Sequence, residues 1–200
     1  MLIIGITGGI GSGKTIVCKI FESLGIDVYD ADSEAKKLMV DDVILIREIK
    51  KQFGPEMYMG KDALNTKKLA DIVFHDADAL KKLNAIVHPA VKKHFKKWRK
   101  EHNDAKYLVK EAAILFESGA DDDCTKVITV VAPHDLRIKR VIERDKTTKK
   151  FIENIIDNQM SSSEKIKKSD YVIINDNNDF VTPQVIELHE SFLKIYRDFK

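Results

Sequence analysis

Several features are scarce in this 200-residue sequence, and each scarcity narrows the class of protein. The only cysteines, Cys18 and Cys124, lack the spacing of metal ligands, so we expect reduced, structural thiols of a cytoplasmic protein. No apolar run approaches the roughly 20 residues of a membrane-spanning helix, so no membrane partner is expected. The N-terminal residues form no basic segment followed by an apolar one, and we therefore expect no signal peptide.

An excess of charge of one sign is also lacking. The 34 basic and 32 acidic residues leave a net charge of +2, so no overall field attracts nucleic acid, and no nucleic-acid partner is expected. Hydrophobic residues at 44% and charged residues at 33% are typical of a soluble globular protein. Because internal repeats and low-complexity linkers are absent from the sequence, we expect one domain with embedded subregions.

The most informative segment that is present lies close to the N-terminus. Residues 8–15 read GGIGSGKT, which matches the phosphate-binding loop pattern G-x-x-x-x-G-K-[ST] in full. The apolar run at 2–6 ahead of it indicates a buried strand, and the apolar spacing over 14–24 indicates one face of a helix. A strand, a glycine-rich loop and a helix start together present backbone N–H groups to an anion.

This motif predicts a nucleotide site. Lys14 would reach the β- and γ-phosphates, and the Thr15 hydroxyl would ligate Mg²⁺. The guanine-recognition pattern NKxD and the switch pattern DxxG do not occur in the sequence, which argues against a GTPase switch. We favour a small-molecule kinase, with another nucleotide or nucleoside as the alternative acceptor. The predicted nucleotide-binding residues of the loop are Gly11, Ser12, Gly13, Lys14, Thr15 and Ile16.

Further strands and helices alternate along the chain. Strand patterns occur at Ile26–Tyr29, Tyr107–Val109, Val127–Val131 and Tyr171–Ile174. Helical patterning fills 34–100, with interruptions expected at Gly54-Pro55 and His88-Pro89, and a last helix is expected from Thr182 to Phe199. The alternation predicts an α/β fold with a parallel five-stranded sheet flanked by helices, and the long middle stretch predicts an inserted all-helical lobe.

Two carboxylates follow the second predicted strand. On an alternating strand, Asp30 and Asp32 would point to one side and Ala31 to the other. Phosphoryl transfer to an alcohol needs a carboxylate that accepts the hydroxyl proton and oxygen ligands for Mg²⁺. The alternative is a helix N-cap, a position that favours Asp. We favour a functional role for Asp32 and leave metal ligation and capping open for Asp30.

Three arginines, Arg137, Arg140 and Arg144, follow the fourth predicted strand. Arg140 and Arg144 are four residues apart and share a helix face, from which they could stabilise the charge of a phosphoryl transition state. The alternative is a solvated surface pairing with Glu143 or Asp145. We favour the functional role for Arg140 and Arg144 and the surface role for Arg137.

Two further features have ordinary structural alternatives. The basic run at 92–100 interleaves aromatic residues, yet its apolar positions lie on one helix face, which indicates an amphipathic helix rather than a nucleic-acid site. His88 precedes a proline at an expected helix boundary, and capping, packing and substrate contact stay open for it. The apolar face comprises Val87, Val91, Phe95 and Trp98.

Over nearly its whole length, the sequence resembles the dephospho-coenzyme A kinase family. The motifs that carry the resemblance are TGGIGSGKT at Thr7–Thr15, LGIDVYDAD at Leu24–Asp32, LNAIVHP at Leu83–Pro89, ILFESG at Ile114–Gly119, RVIERD at Arg140–Asp145, Gln159, and SDYVIIND at Ser169–Asp176. The resemblance implies ATP-dependent phosphorylation of the ribose 3′-hydroxyl of dephospho-CoA, the last step of coenzyme A synthesis. ATP and Mg²⁺ are the implied cofactors.

The resemblance also implies roles for particular residues. Asp32 would be the general base, Lys14 and Thr15 would hold phosphate and Mg²⁺, and Arg140 and Arg144 would belong to a lid and the acceptor site. The implied division is a core at about 1–33, 105–135 and 169–200, a helical substrate lobe at about 34–104 and a lid at about 136–168. The residues implied near the acceptor are His88, Leu115, Phe116 and Glu117.

The sequence departs from the family pattern at two places. Where members usually read something like DIPLLFE, this chain has EAAILFE at Glu111–Glu117, so no role is carried over to Glu111. Many members have an arginine four residues before the glutamine that matches Gln159, where this chain has Ile155. One lid contact is therefore expected to be absent.

Overall fold

A computed structural model describes residues 1–60 and 63–198. The chain divides into two compact units, one formed by Met1–Asp30 with His102–Lys200 and the other by Ala31–Glu101. The strands are β1 (Leu2–Thr7), β2 (Val28–Asp30), β3 (Tyr58–Met59), β4 (Ala63–Leu64), β5 (Tyr107–Glu111), β6 (Lys126–Val131) and β7 (Tyr171–Ile174). The helices are α1 (Lys14–Ser23), α2 (Ala31–Asp41), α3 (Val43–Phe53), α4 (Thr66–His75), α5 (Ala77–Glu101), α6 (His134–Asp145), α7 (Lys149–Asp157), α8 (Ser162–Lys168) and α9 (Val181–Asp198).

The first unit is built on a five-stranded parallel sheet in the order β2-β5-β1-β6-β7. All six residues of β1, the middle strand, are buried, which explains its continuous apolar run because helices cover both faces of such a sheet. The main core joins the sheet to α1 and α9, through residues such as Phe21 and Phe192. The predicted α/β fold with a five-stranded parallel sheet is confirmed.

Both Cys18 and Cys124 are free thiols, and burial raises the pKa of the Cys124 thiol to about 12. Among residues 1–60 and 63–198, the helices are too short or too polar for any of them to cross a bilayer.

The second predicted strand does not continue through Asp32. The strand β2 ends at Asp30, and Ala31 and Asp32 form the first turn of α2. The expectation that Asp30 and Asp32 alternate on a strand is therefore wrong. Acidic side chains in a first turn interact favourably with the helix dipole, and both Asp32 and Glu34 lie there, which favours an early helix start.

The second unit contains more than helices. A short antiparallel pair joins β3 to β4, with Tyr58 opposite Leu64, so the expectation of an all-helical lobe is wrong. Strands of two residues are too short to produce a detectable alternation in the sequence. The predicted helical stretch also included Lys61 and Asp62, which lie outside the described residues, as does Phe199 of the predicted last helix.

The helix α5 continues through Pro89, so the interruption expected at His88-Pro89 is wrong. Leu83 and Val87 before the proline and Phe95 after it are all buried on one side of the helix. This packing outweighs the hydrogen bond to the Ala85 carbonyl that proline cannot donate. The Pro89 ring is exposed and so avoids the core.

The Pro89→Ala substitution is expected to stabilise the protein. Proline in a helix interior costs about 3 kcal/mol relative to alanine, and part of this is offset because proline also restricts the unfolded chain. We expect the free energy of unfolding to rise by about 1–3 kcal/mol in urea denaturation. The matched control is Lys93→Ala at another exposed position of α5, with an expected change within about 0.5 kcal/mol. A loss of stability in Pro89→Ala would contradict this interpretation.

Candidate active site

The glycine-rich loop lies where its pattern predicted, between the central strand β1 and the helix α1. Gly13 is the N-cap of α1 with φ of 98°, and Gly11 has φ of 77°. A Cβ at Gly11 would lie 2.5 Å from the carbonyl oxygen of Arg137, and a Cβ at Gly13 would collide with the Asn175 side chain. Both backbone conformation and space therefore require glycine at these two positions.

The loop presents hydrogen-bond donors suited to an anion. Amide groups in the first turn of a helix have no intrahelical acceptor, and the loop delivers the chain into the first turn of α1. The Ser12 hydroxyl is buried and has no hydrogen-bond partner in the described ranges 1–60 and 63–198. An unsatisfied buried hydroxyl is costly, which fits a site whose polar partner is a bound phosphate.

The Lys14 ammonium group joins the loop to the neighbouring strand. Its Nζ donates to the Gly8 carbonyl oxygen at 3.1 Å and lies 3.6 Å from Oε1 of Glu111. Both side chains are largely buried, so the attraction between the two charges is weakly screened. Lys14 is thus directed back over the loop, and its predicted contact with the β- and γ-phosphates stays a prediction.

Two carboxylates end adjacent strands at this edge of the sheet. Asp30 on β2 is the register partner of Glu111 on β5. Burial raises the pKa of the nearby Cys18 thiol, and the negative charges of Glu111 and Asp30 raise it further while Lys14 lowers it. Sequence reasoning assigned no role to Glu111, although its position as an acidic residue at the carboxyl end of a strand was a usable signal.

Arg140 is connected to the phosphate-binding loop through an asparagine. Its guanidinium donates to the main-chain oxygen and Oδ1 of Asn175, both at 3.1 Å, and to Oδ1 of Asn177 at 2.6 Å. Asn175 in turn donates to the Ser12 carbonyl oxygen at 2.9 Å. Arg144 is largely exposed and pairs with Asp145 at 2.7 Å. The predicted contacts of both arginines with substrates stay predictions.

Arg137 does not have the surface role that we favoured for it. The residue is only 7% exposed, its Nε donates to the Ile10 carbonyl oxygen at 2.9 Å, and its Nη1 donates to Ser162 Oγ at 3.4 Å. The surface alternative for Arg137 is therefore wrong. Gly9 and Gly11 leave room for Arg137 beside the loop, a long-range fit that no local pattern reveals.

The segment after β5 holds the residues expected near the acceptor. Leu115 is fully buried, and a Cβ at Gly5 would lie only 2.8 Å from its Cδ2, so it packs closely on β1. The Lys168 ammonium lies 5.7 Å from the centroid of the Phe116 ring. Glu117 accepts a hydrogen bond from the Met160 amide at 2.8 Å. Acceptor contacts by these residues stay predictions.

Sequence reasoning missed Lys165, a fully buried lysine on α8. Its Nζ lies 2.9 Å from Oε1 of Glu117 and donates to the Ala113 carbonyl oxygen at 2.7 Å. Burial lowers the pKa of Lys165, and the pairing with Glu117 opposes that effect. The capping box that starts α8 at Ser161 was the local signal for this helix, but the burial of Lys165 had none.

In the second unit, Asp32 lies in the first turn of α2 and His88 lies within α5. Burial lowers the pKa of His88, and the negative charge of Asp32 partly opposes this shift. His88 is therefore mainly neutral at pH 7, in a form that can both donate and accept a hydrogen bond.

The loop, the ammonium group directed over it and the acidic ends of β2 and β5 define, on this fold, a P-loop kinase. A solved Thermus thermophilus protein shares the fold with a TM-score of 0.81 at 30% identity over 96% of each chain. The dephospho-CoA kinase from Campylobacter jejuni gives a TM-score of 0.70 at 26% identity, covering 96% of this chain and 97% of its own.

Sequence comparison identifies the family. The sequence model for dephospho-CoA kinase matches residues 2–180. A dephospho-CoA kinase from Bacteroides fragilis is 38% identical over 185 residues, which cover 92% of this chain and 90% of the relative. The chain therefore belongs to the dephospho-CoA kinase family and is an enzyme of the kinase class.

Proposed function

We propose that this chain transfers the γ-phosphoryl group of ATP to the ribose 3′-hydroxyl of dephospho-CoA and so completes coenzyme A synthesis. The bond between the 3′-oxygen and the γ-phosphorus forms, the bond from that phosphorus to the β,γ-bridging oxygen breaks, and the products are CoA and ADP. Family membership supports the reaction. The observation that carries the assignment of the site is the Lys14 ammonium group, placed between the loop carbonyl of Gly8 and Glu111.

The phosphates of ATP would lie in the loop. Lys14 would leave the Gly8 carbonyl for the β- and γ-phosphate oxygens, and the unpartnered Ser12 hydroxyl offers one more donor. Preorganised donors of this kind stabilise charge that develops during transfer. The proposed nucleotide-binding residues are Gly11, Ser12, Gly13, Lys14, Thr15, Ile16 and Arg144.

The side-chain oxygen atoms of Thr15 and Asp30 are ligands of the kind that Mg²⁺ prefers. Within the described ranges, no group of three or more His, Cys, Asp or Glu side chains is arranged to hold a metal ion. Mg²⁺ bound with a nucleotide does not need such a group, because it takes one or two protein oxygens together with phosphate oxygens and water. Thr15 and Asp30 would hold the ion, and Glu111 lies beside Asp30. When bound, the ion would neutralise charge on the transferring phosphate.

Asp32 would take the proton from the 3′-hydroxyl as the oxygen attacks. Its place just after β2, two residues beyond Asp30, supports this role together with the family motif. His88, whose neutral side chain can bond to a hydroxyl or phosphate, would contact the acceptor with Leu115, Phe116 and Glu117. Arg140, held by Asn175 and Asn177, would stabilise the transferring group.

We place the protein in the cytoplasm, because Cys18 and Cys124 are free thiols, as cysteines are in reducing compartments.

A transfer assay with a panel of acceptors tests the function. The protein would be incubated with Mg·ATP and dephospho-CoA, adenosine, AMP, CMP or no acceptor, and the products read by mass. We expect one added phosphate on dephospho-CoA alone. Transfer to another acceptor would keep the kinase chemistry and reject the proposed substrate, whereas ATP hydrolysis without transfer to any acceptor would reject the proposed reaction and with it the role of Asp32.

A further inference from the structure

Ile10, the third residue of the phosphate-binding loop, is held at both of its main-chain polar atoms by side chains from distant parts of the chain. Its amide donates to Oε1 of Gln159 at 3.0 Å, and its carbonyl oxygen accepts from Nε of Arg137 at 2.9 Å. The Ile10 side chain packs against a small buried apolar cluster of Ile138, Val141 and Ile152. We call Arg137 and Gln159 the loop clamp.

Arg137 also contacts the residues on either side of Ile10. A Cβ at Gly9 would collide with the Arg137 guanidinium, and a Cβ at Gly11 would lie 2.5 Å from the Arg137 carbonyl oxygen. The same guanidinium donates to Oγ of Ser162, the first residue of α8. Arg137 therefore lies against three successive loop residues, with its side chain at Gly9 and Ile10 and its main chain at Gly11, and its side chain also contacts the start of a helix far along the chain.

The clamp fixes which loop groups are available to an anion. Because the Ile10 amide already donates to Gln159, it is not directed at a phosphate, and the remaining donors must be aligned by the curvature of the loop. A glycine-rich loop has many accessible conformations in isolation, and ordering it on binding would weaken affinity. The two hydrogen bonds to the Ile10 main chain and the packing of its side chain order the loop before a nucleotide binds.

We propose that Arg137 and Gln159 are positioning residues for phosphoryl transfer, which preorganise the phosphate-binding loop by gripping Ile10. Neither side chain needs to touch ATP for this role. This role rests on the proposed function only because it takes ATP as the ligand of the loop. The hydrogen bonds from Arg137 and Gln159 also connect the loop to the segment from α6 to α8. Arg137 thus has a role in the site, although the sequence pattern favoured a surface position.

The test measures the affinity for ATP and ADP by calorimetry on the full chain without acceptor. The variants are Arg137→Met, Gln159→Leu, Gln159→Glu and the double variant Arg137→Met/Gln159→Leu. We expect Arg137→Met and Gln159→Leu each to weaken both nucleotides on the order of tenfold, the effect of losing one buried hydrogen bond at the loop. Gln159→Glu retains the acceptor oxygen but adds a negative charge beside the anion site, so we expect it to weaken both nucleotides less than Gln159→Leu does, by an amount that falls as salt is added.

The double variant and a control sharpen the result. Since both residues act through Ile10, their effects on ATP affinity should not add. The double variant should bind ATP about as weakly as the single variant with the lower ATP affinity. The control is Lys139→Met, an exposed position on the same helix as Arg137, and it should leave affinity unchanged. In the transfer assay, the KM for ATP should rise while the KM for dephospho-CoA stays constant.

A purely structural role gives a different pattern. Variants that unfold at lower urea concentration but bind ATP normally while folded would overturn the proposal, and so would equal losses in Gln159→Leu and Gln159→Glu. If Arg137→Met fails to fold, the Gln159 pair decides alone. Absence of transfer to dephospho-CoA by the parent protein would reject the proposed function without affecting the nucleotide-binding result, so the two failures are distinguishable.

Discussion

Asp32→Asn is expected to lower turnover by roughly two to four orders of magnitude while the protein still binds ATP. The amide has nearly the shape of the carboxylate but cannot accept the proton of the 3′-hydroxyl. The substitution lies in the first turn of α2, where loss of a negative charge near the helix N-terminus costs about 0.3–1 kcal/mol of stability. That loss is far too small to explain the expected fall in rate.

A second substitution in the same helix controls for the charge change. Asp41→Asn lies at the far end of α2 in an exposed position and should leave the rate near that of the parent protein. The measurements are single-turnover transfer rates and ATP affinity for both variants. A near-normal rate in Asp32→Asn would remove Asp32 from the role of general base, and a loss of ATP binding would point to a broader defect.

The parts of this molecule that were predictable from sequence are those whose physics is local. The strand, loop and helix from Leu2 to Ser23 are predictable because a strand buried on both faces is apolar throughout and a tight anion-binding loop requires glycine. The order of strands and helices then predicts a parallel sheet whose carboxyl edge carries Asp30, whereas the neighbouring Glu111, to which no role was assigned, was recognised only from the strand register.

The features that escaped prediction depend on contacts between residues far apart in the sequence. Arg137 was the one arginine of its helix for which we favoured a surface position, yet its contact with Ile10, 127 residues away, buries it. In the sequence, nothing distinguishes Lys165 from the other lysines of its short helix. In the structure it is buried, and its ammonium group contacts Glu117 and the Ala113 carbonyl oxygen, which lie far from it in the sequence. Pro89 would break an isolated helix, and the packing of Leu83 and Phe95 on either side overrides that preference.

Lys14→Met is expected to lower the transfer rate by at least about 10²-fold and to weaken ATP binding, because it removes the donor that follows the charge of the β- and γ-phosphates. The substitution also removes the cation beside Glu111, a carboxylate only 8% exposed. Loss of a neighbouring cation from a buried carboxylate lowers the free energy of unfolding by up to a few kcal/mol. Loss of activity in this variant alone could therefore come from unfolding.

The double variant Lys14→Met/Glu111→Gln separates the two causes. Replacing the carboxylate by a neutral amide removes the buried charge that Lys14 no longer faces, so the free energy of unfolding should recover toward that of the parent protein while transfer stays lost. Urea denaturation, ATP calorimetry and the transfer assay on both variants and on Glu111→Gln alone provide the comparison. Recovery of ATP affinity and rate in the double variant would mean that Lys14 serves only to neutralise Glu111. The loop would then bind phosphate through its backbone amides and the Ser12 hydroxyl, without a lysine.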